Sequence, residues 1–274
     1  MTRSITTGMK RARLKLGTTI WGATAFVFFG FILLPLLILI AVSFNPTTMI
    51  FPPQGFTLRW YTVILDKPDF LSAACSSTVV AALTASISTT SGAVAAIGLH
   101  HYKGRFRALV QNVLLSPLFF PAVIVALAIS QLMLIMGVMA NLAILVGAHV
   151  VVTMPYPVRN VTAQLSGFDG RLEEAAMTVG ATPRQALLRV TLPLLRDSIV
   201  PSLIITFVLS WNNYTVSLFL ASSDWTTLPL QLRAYLQYEY EPFVAAMSTI
   251  LIIMSATLLF VVDRTVGAAG RSRV

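Results

Sequence analysis

Six long stretches of this chain contain no Asp, Glu, Lys or Arg, and they limit the folds that are open to it. They cover residues 19–43, 71–99, 108–130, 139–157, 199–221 and 243–262. The hydrocarbon core of a bilayer is about 30 Å thick, and an α-helix needs about 20 apolar residues to cross it. None of the stretches has the alternating pattern of a transmembrane β-strand. We therefore predict an all-α, polytopic membrane protein with six transmembrane helices.

The composition excludes a soluble globule. Of the 274 residues, 56% are hydrophobic and only 11% are charged. A soluble domain has about a quarter of its residues charged, so this chain has too few polar side chains to cover a soluble surface. The second stretch is rich in Ser, Thr, Ala and Gly, which predicts close packing of helices rather than lipid contact. Pro117 and Pro121 predict a kink in the third stretch.

The distribution of positive charge predicts the orientation in the membrane. Sixteen of the 19 Lys and Arg residues lie before the first stretch, between the second and third, between the fourth and fifth, or after the sixth. The opposite side has only Arg59, Lys67 and Arg233. Because cytoplasmic loops are enriched in Lys and Arg, we expect both termini to lie in the cytoplasm. The expected organisation is a basic tail (1–18), a transmembrane domain (19–264) and a closing tail (265–274). This lipid setting accounts for the net charge of +9 without nucleic acid.

Several function classes have little support in the residues. All ten acidic residues fall in loops or at the ends of the stretches, whereas ion-coupled carriers usually need ionisable groups at membrane depth. Such a carrier remains the alternative. The sequence has no phosphate-binding G-x-x-x-x-G-K-[ST] loop and no recognisable catalytic set, and we predict no catalytic residue. No metal site is expected either: His149 stands alone in an apolar run and is expected to pack or to form a hydrogen bond.

One organised polar segment, residues 159–197, interrupts the apolar sequence, and we call it the polar loop. Asp169 is predicted to cap a helix that begins at Gly170, with Glu173 and Glu174 in its first turn. Gly180 is placed to end that helix in a left-handed conformation. The apolar residues of this helix recur on one face, at Leu172, Ala175, Ala176 and Val179.

A second helix is predicted to begin within the polar loop. Thr182, Pro183 and Gln185 have the spacing of a capping box with proline at the first helical position. Pro193 is predicted to end this helix as the chain returns to the membrane. Two readings of the pair remain: an amphipathic element resting in the lipid headgroups, or a docking surface for another protein. The small-residue face and the two acidic residues favour docking.

The polar loop resembles a known family motif. Glu174-Ala175-Ala176, three residues, Gly180, nine residues and then Val190-Thr191-Leu192-Pro193 is similar to the EAA motif of bacterial ABC importer permeases, E-A-A-x3-G-x9-I-x-L-P. The one departure is Val190, where isoleucine is usual. Residues 211–266 are most similar to permeases of the spermidine/putrescine type.

This resemblance implies a type I ABC importer permease fold in the bacterial inner membrane, in which the polar loop holds a cytoplasmic coupling helix. The partners it implies are a dimer of ATPase subunits, a second, homologous but different permease, and an extracytoplasmic solute-binding protein. The ATPase would bind ATP, so no cofactor is expected in this chain. The residues implied to couple to the ATPase are Glu173, Glu174, Ala175, Ala176, Gly180, Ala181, Leu192 and Pro193.

A polar cluster in the fifth stretch is the candidate path for the transported solute. Its members are Ser210, Trp211, Asn212, Asn213 and Tyr214, and the two asparagines are predicted to lie near mid-span. Buried amides are costly in lipid, so they either line a path or bond neighbouring helices together. Polyamine permeases often carry an acidic residue at this place. Its replacement by asparagine leaves a polyamine-like, an amino-acid-like or an opine-like solute open.

Overall fold

The computed structural model describes residues 2–47, 52, 54–239 and 241–271, and the side chains of those from 21 to 264. These residues form helices, turns and loops without a β-strand, which confirms the all-α prediction. The helices are α1 (Thr2–Val42), α2 (Arg59–Val63), α3 (Pro68–His101), α4 (Arg107–Leu115), α5 (Ala122–Met136), α6 (Leu142–Thr153), α7 (Pro155–Ser166), α8 (Arg171–Thr178), α9 (Pro183–Ala186), α10 (Leu192–Trp211), α11 (Tyr214–Leu220), α12 (Leu228–Tyr235) and α13 (Pro242–Arg271).

Within the described residues, five continuous helical segments are long and apolar enough to cross a membrane. They are Trp21–Val42, Pro68–His101, Leu142–Ser166, Pro183–Trp211 and Pro242–Arg264. The pair Arg107–Phe119 and Ala122–Met136 is bent by 105° and makes six if it is counted as one span. The predicted number of six spans is therefore reached only if this bent pair is counted as one span.

The break in the third predicted span has a local cause. Ser116–Phe119 form a 3₁₀ turn that contains Pro117, and Phe120 is extended with φ −105° and ψ 140°. A residue that precedes proline is pushed out of the helical region, which is why Phe120 extends before Pro121. The predicted kink is thus confirmed, and it is sharper than one proline inside a continuous helix produces.

Two predicted span boundaries are wrong. The fourth helical segment continues to Ser166 rather than ending at 157, because backbone hydrogen bonding carries on after hydropathy falls. The fifth runs from Pro183 to Trp211 rather than from 199 to 221. Asp197, placed just outside this span from the sequence, therefore lies within the helix. The two asparagines lie at its end instead of its middle.

The described residues divide into two compact units, residues 1–64 with 240–251 and residues 65–239 with 252–274. In the first unit, the loop after α1 is held against α2. The indole Nε1 of Trp60 donates to the carbonyl of Asn45 at 2.7 Å, and the hydroxyls of Ser43 and Tyr61 are 2.7 Å apart. Trp60, Ser43 and Asn45 are all buried, so these bonds satisfy polar groups away from water.

The second unit is built around α3. This helix packs most extensively against α10 and α7, and its buried face is made mainly of Ala, Ser, Thr and Gly. Such small side chains let helix backbones approach closely. Gly92 shows how closely: a β-carbon there would lie 2.9 Å from Cγ of Pro157 and 3.2 Å from the backbone nitrogen of Val158. The prediction of close packing for this stretch is confirmed.

We predict that Gly92→Ala destabilises the second unit by about 1–3 kcal/mol, because overpacking forces α3 and α7 apart. Gly98→Ala, on the same helix, is the matched control, since a β-carbon there meets no atom within 4 Å. The measurement is the thermal unfolding midpoint of each purified variant in detergent. Equal midpoints for the two variants would contradict the packing described here.

Candidate functional site

The first helix of the polar loop, α8, begins one residue later than predicted and ends as predicted. Oδ1 of Asp169 accepts a hydrogen bond from the backbone nitrogen of Arg171 at 3.1 Å. At the other end, the backbone nitrogens of Gly180 and Ala181 donate to the carbonyls of Met177 and Ala176, each at 3.0 Å. This is the hydrogen-bond pattern of a Schellman motif, and the φ of Gly180 is +98°. The direction of the chain after α8 is therefore set by Gly180.

The start of the second helix is confirmed and its end is not. Thr182 and Gln185 form a complete capping box ahead of α9. The chain then continues through a π-helical segment, Leu187–Thr191, directly into α10. Pro193 lies in the first turn of α10, so the prediction that it ends the helix is wrong. Proline clashes with the carbonyl four residues earlier in a regular α-helix, and the wider π turn just before Pro193 accommodates it.

Glu173 ties α8 to two other elements. One carboxylate oxygen, Oε2, is 3.1 Å from Nε2 of His101 at the end of α3. The other, Oε1, accepts a hydrogen bond from the hydroxyl of Thr191, which is fully buried in the π segment. Nδ1 of His101 is 3.0 Å from the carbonyl of Ile97, so both imidazole nitrogens face acceptors and both bonds form when the ring is an imidazolium.

The environment of Glu173 favours its ionised form. Burial raises the pKa of this carboxyl, but the hydrogen bonds from Thr191 and His101, together with the charges of His101 and His100, outweigh burial and leave the pKa below its ordinary value. Glu173 therefore lies in the loop as a carboxylate bonded to its own chain. We call this set of contacts, Glu173 with His101 and Thr191, the α8 latch.

The opposite side of α8 is open. Glu174 and Ala175 are exposed, and so are the larger apolar side chains of Leu172 and Val179, at 47% and 87%. Of the other residues implied to couple, Ala176 and Ala181 are half-buried, while Leu192 and Pro193 are exposed on the first turn of α10. The two adjacent glutamates thus differ: Glu173 is bonded within the chain and Glu174 faces outwards.

The candidate path residues lie at a break between two helices. α10 ends at Trp211, Asn212 follows it, and the side chain of Asn213 caps α11 by accepting from the backbone nitrogen of Val216 at 2.9 Å. The amide nitrogen of Asn212 donates to the carbonyl of Val208 at 2.9 Å and to the hydroxyl of Ser255 at 3.2 Å. The prediction that these two asparagines lie near mid-span is wrong, because they lie at a break and bond the backbone groups that it leaves free.

The five path residues do not share one environment. Ser210 and Trp211 are buried, Asn213 and Tyr214 are half-buried, and Asn212 is exposed. Ser210 is bonded to His149, whose Nδ1 is 2.8 Å from the serine hydroxyl. The prediction that His149 forms a hydrogen bond is confirmed. Asn212, Asn213 and Tyr214 are therefore the three that remain accessible.

Comparison with known proteins identifies the family. A model of the family described as "Binding-protein-dependent transport system inner membrane component" matches residues 88–272. The chain belongs to this family. The match covers α4 to α13 and the last 14 residues of α3, so it includes both the polar loop and the helix break. The chain is accordingly a permease component of an ABC importer in the inner membrane, and the proteins it resembles are transport permeases rather than enzymes.

Named relatives share nearly its whole length. The spermidine/putrescine transport system permease protein PotC of Escherichia coli (strain K12) is 28% identical over 260 residues, which cover 93% of this chain and 98% of PotC. The putrescine transport system permease protein PotI of the same strain is 28% identical over 254 residues, or 90% of each chain.

Solved structures support the fold. A chain of a bacterial ABC transporter involved in the import of the acidic polysaccharide alginate superposes with a TM-score of 0.70 at 16% identity, over 91% of this chain and 96% of that one. A chain of an amino acid ABC transporter gives a TM-score of 0.60 at 18% identity, over 78% and 100%. At these identities the likeness shows the permease fold alone.

The two hydrogen-bond partners of Glu173 were not identified from the sequence. No local pattern links His101 to Glu173, which is 72 residues away, yet the two side chains are bonded. Thr191 is one of the undefined positions of the family motif, but its hydroxyl is the buried donor to Glu173. The one local signal for Thr191 is that it is the only polar residue in the run 190–195.

We predict that Glu173→Gln loosens α8. Loss of the charge weakens the bond to the half-exposed His101 as well as the one to Thr191, by about 1 kcal/mol in total, or roughly fivefold in local opening. Glu174→Gln is the matched control, because Glu174 is exposed on the same turn. Hydrogen exchange of the α8 amides in the purified protein measures both. Equal acceleration in the two variants would show that the α8 latch does not hold the helix.

Proposed function

We propose that this chain is the membrane-spanning subunit through which an ABC importer moves a small polar solute, driven by ATP hydrolysis in a separate ATPase subunit. In this proposal the outward face of α8 docks on the ATPase. A homologous but different permease pairs with the chain, and an extracytoplasmic binding protein delivers the solute. Both termini lie in the cytoplasm, on the side where Lys and Arg are concentrated.

The observation that carries the proposal is the contrast between the two sides of α8. One side is fixed by the α8 latch, while the other exposes Glu174, Ala175, Leu172 and Val179 with no partner inside the described chain. Apolar residues held outwards on a short, anchored helix suit a protein groove. Glu174 adds an exposed carboxylate that is available for a charge-assisted bond to a donor on the ATPase.

The accessible amides at the helix break support a path for a polar solute. Asn212 and Asn213 provide amide groups without a net charge, beside the phenol of Tyr214. Such a lining favours solutes that use hydrogen bonds over strongly charged ones. PotC and PotI transport polyamines according to their names. Because polyamines are polycations and this lining has no net charge, they are tested side by side with amino-acid-like and opine-like solutes.

The whole proposal is tested with the reconstituted complex. The solute is first identified by mass spectrometry of the purified binding protein. We expect proteoliposomes that contain both permeases and the ATPase to take it up only with ATP and loaded binding protein. Uptake by this chain alone, driven by a proton or sodium gradient, would instead indicate an ion-coupled carrier.

We predict that Gly180→Val disrupts the link to the ATPase. A β-branched residue at φ +98° strains the turn by about 1–2 kcal/mol and redirects the chain after α8. Gly170→Val is the matched control: neither glycine has an atom within 4 Å of an added β-carbon, and Gly170 has a helical φ of −57°. Co-purification of the ATPase and ATP hydrolysis stimulated by loaded binding protein should both fall for the Gly180 variant alone. Normal values of both would remove α8 as the coupling element.

We predict that Asn212→Leu slows uptake by about threefold or more, because the path loses an amide that the solute uses. Ser255→Ala is the matched control, since it removes the bond between Asn212 and Ser255 but leaves the amide in place. Initial uptake rates and the yield of assembled complex show whether Asn212 lines the solute path or joins helices. If both variants reduce uptake equally, or reduce assembly, Asn212 joins helices and does not line the path.

A further inference from the structure

His149 contacts both sides of the helix break. It lies in α6 and is fully buried. Nδ1 is 2.8 Å from the hydroxyl of Ser210, which precedes the break, and Nε2 is 3.4 Å from the hydroxyl of Ser217, which follows it. One imidazole ring thus connects the last turn of α10 with α11.

The neighbouring bonds determine how the ring is protonated. Ser217 has a single hydroxyl proton, and it donates that proton to the carbonyl of Asn213 at 3.0 Å. With that proton on the carbonyl, the Ser217 oxygen accepts from Nε2–H of His149, and Nδ1 accepts from Ser210. In this arrangement both nitrogens of the buried ring have a hydrogen bond while the ring stays neutral. The series of bonds ends at the backbone carbonyl of Asn213. His149 is therefore linked to the break through Ser210 on one side and Ser217 on the other, and Ser217 continues the link to the carbonyl of Asn213.

We propose that His149 is a positioning residue that holds the α10–α11 break in one geometry and so places Asn212 and Asn213. The imidazole acts on the break through its hydrogen bonds to Ser210 and Ser217, whereas the side chains of Asn212 and Asn213 bond other groups. The inference rests on the proposed function only for what the asparagines do with a solute.

The test uses a buried thiol as a reporter of the break. Cys75 is the only cysteine in the sequence, so a Cys75→Ser background accepts a single new one. Val216→Cys places it in the first turn of α11, and Val80→Cys places the control on α3. Both valines are buried to 1% or less and belong to the same apolar cluster. The rate of reaction with N-ethylmaleimide is measured on the full transporter complex in membranes.

Changes at His149 should raise the rate at Val216→Cys in steps. A hydrogen bond between helices in a bilayer corresponds to about threefold in a local equilibrium, so His149→Leu should raise the rate roughly tenfold. His149→Asn brings an amide near the position of Nδ1 and His149→Gln near that of Nε2. Each keeps one of the two bonds, and each should raise the rate about threefold.

A coupling measurement completes the test. Ser210→Ala should raise the rate at Val216→Cys when His149 is present and add nothing in His149→Leu, because both changes remove the same bond. The rate at Val80→Cys should stay unchanged in every variant. An equal rise at both reporters would make His149 an ordinary packing residue, and no rise at Val216→Cys would remove the proposal. Because labelling needs neither solute nor ATP, failure of the transport proposal would leave this result readable.

Discussion

Every backbone N–H and C=O that lies in lipid needs a hydrogen-bond partner within the protein. A continuous helix meets this requirement by itself, so departures from regular helix are informative. Three such departures among the described residues belong to the broken span and to the two candidate sites: the 3₁₀ turn at Ser116–Phe119, the π segment of the polar loop at Leu187–Thr191 and the break at Asn212–Asn213. In the π segment, the backbone hydrogen bonds shift to the wider π-helical pattern. At the break, asparagine side chains bond the backbone groups that the two helix ends leave free.

The two candidate sites use this requirement in different ways. At the polar loop, the π segment presents the hydroxyl of Thr191 to Glu173, so an irregular turn becomes an anchor for a separate helix. At the break, Asn213 caps α11 while Asn212 bonds back to α10, and the amides stand in for missing backbone bonds. An asparagine at the break can thus bond the backbone and still be accessible to a solute. For this reason the sequence alone could not decide whether the asparagines line a path or join helices.

The features that the sequence predicted are local ones. Gly180 and the capping box of Thr182 and Gln185 depend on residues within one turn, and both were found. Pro193 was misread because the rule that proline ends a helix assumes an α-helical turn before it, and here that turn is a π-helix. The fifth span was misplaced because hydropathy records side-chain composition and not where backbone bonding stops. The bonds of Glu173 to His101 and of His149 to Ser210 join residues 72 and 61 positions apart, and no pattern in a single sequence pairs them.

The continuity of the helix from Pro183 to Trp211 has a mechanical consequence. Its 29 residues rise by up to 1.5 Å each, which makes the helix roughly 40 Å long. The end at Pro183 adjoins α8, and the other end carries the break. For a rod of that length, a tilt of about 5° at one end moves the other by about 4 Å, more than a hydrogen bond can stretch. A small displacement on the side of the polar loop would therefore be amplified into the making or breaking of contacts at the asparagines, with no need for a chain of intermediate side-chain movements.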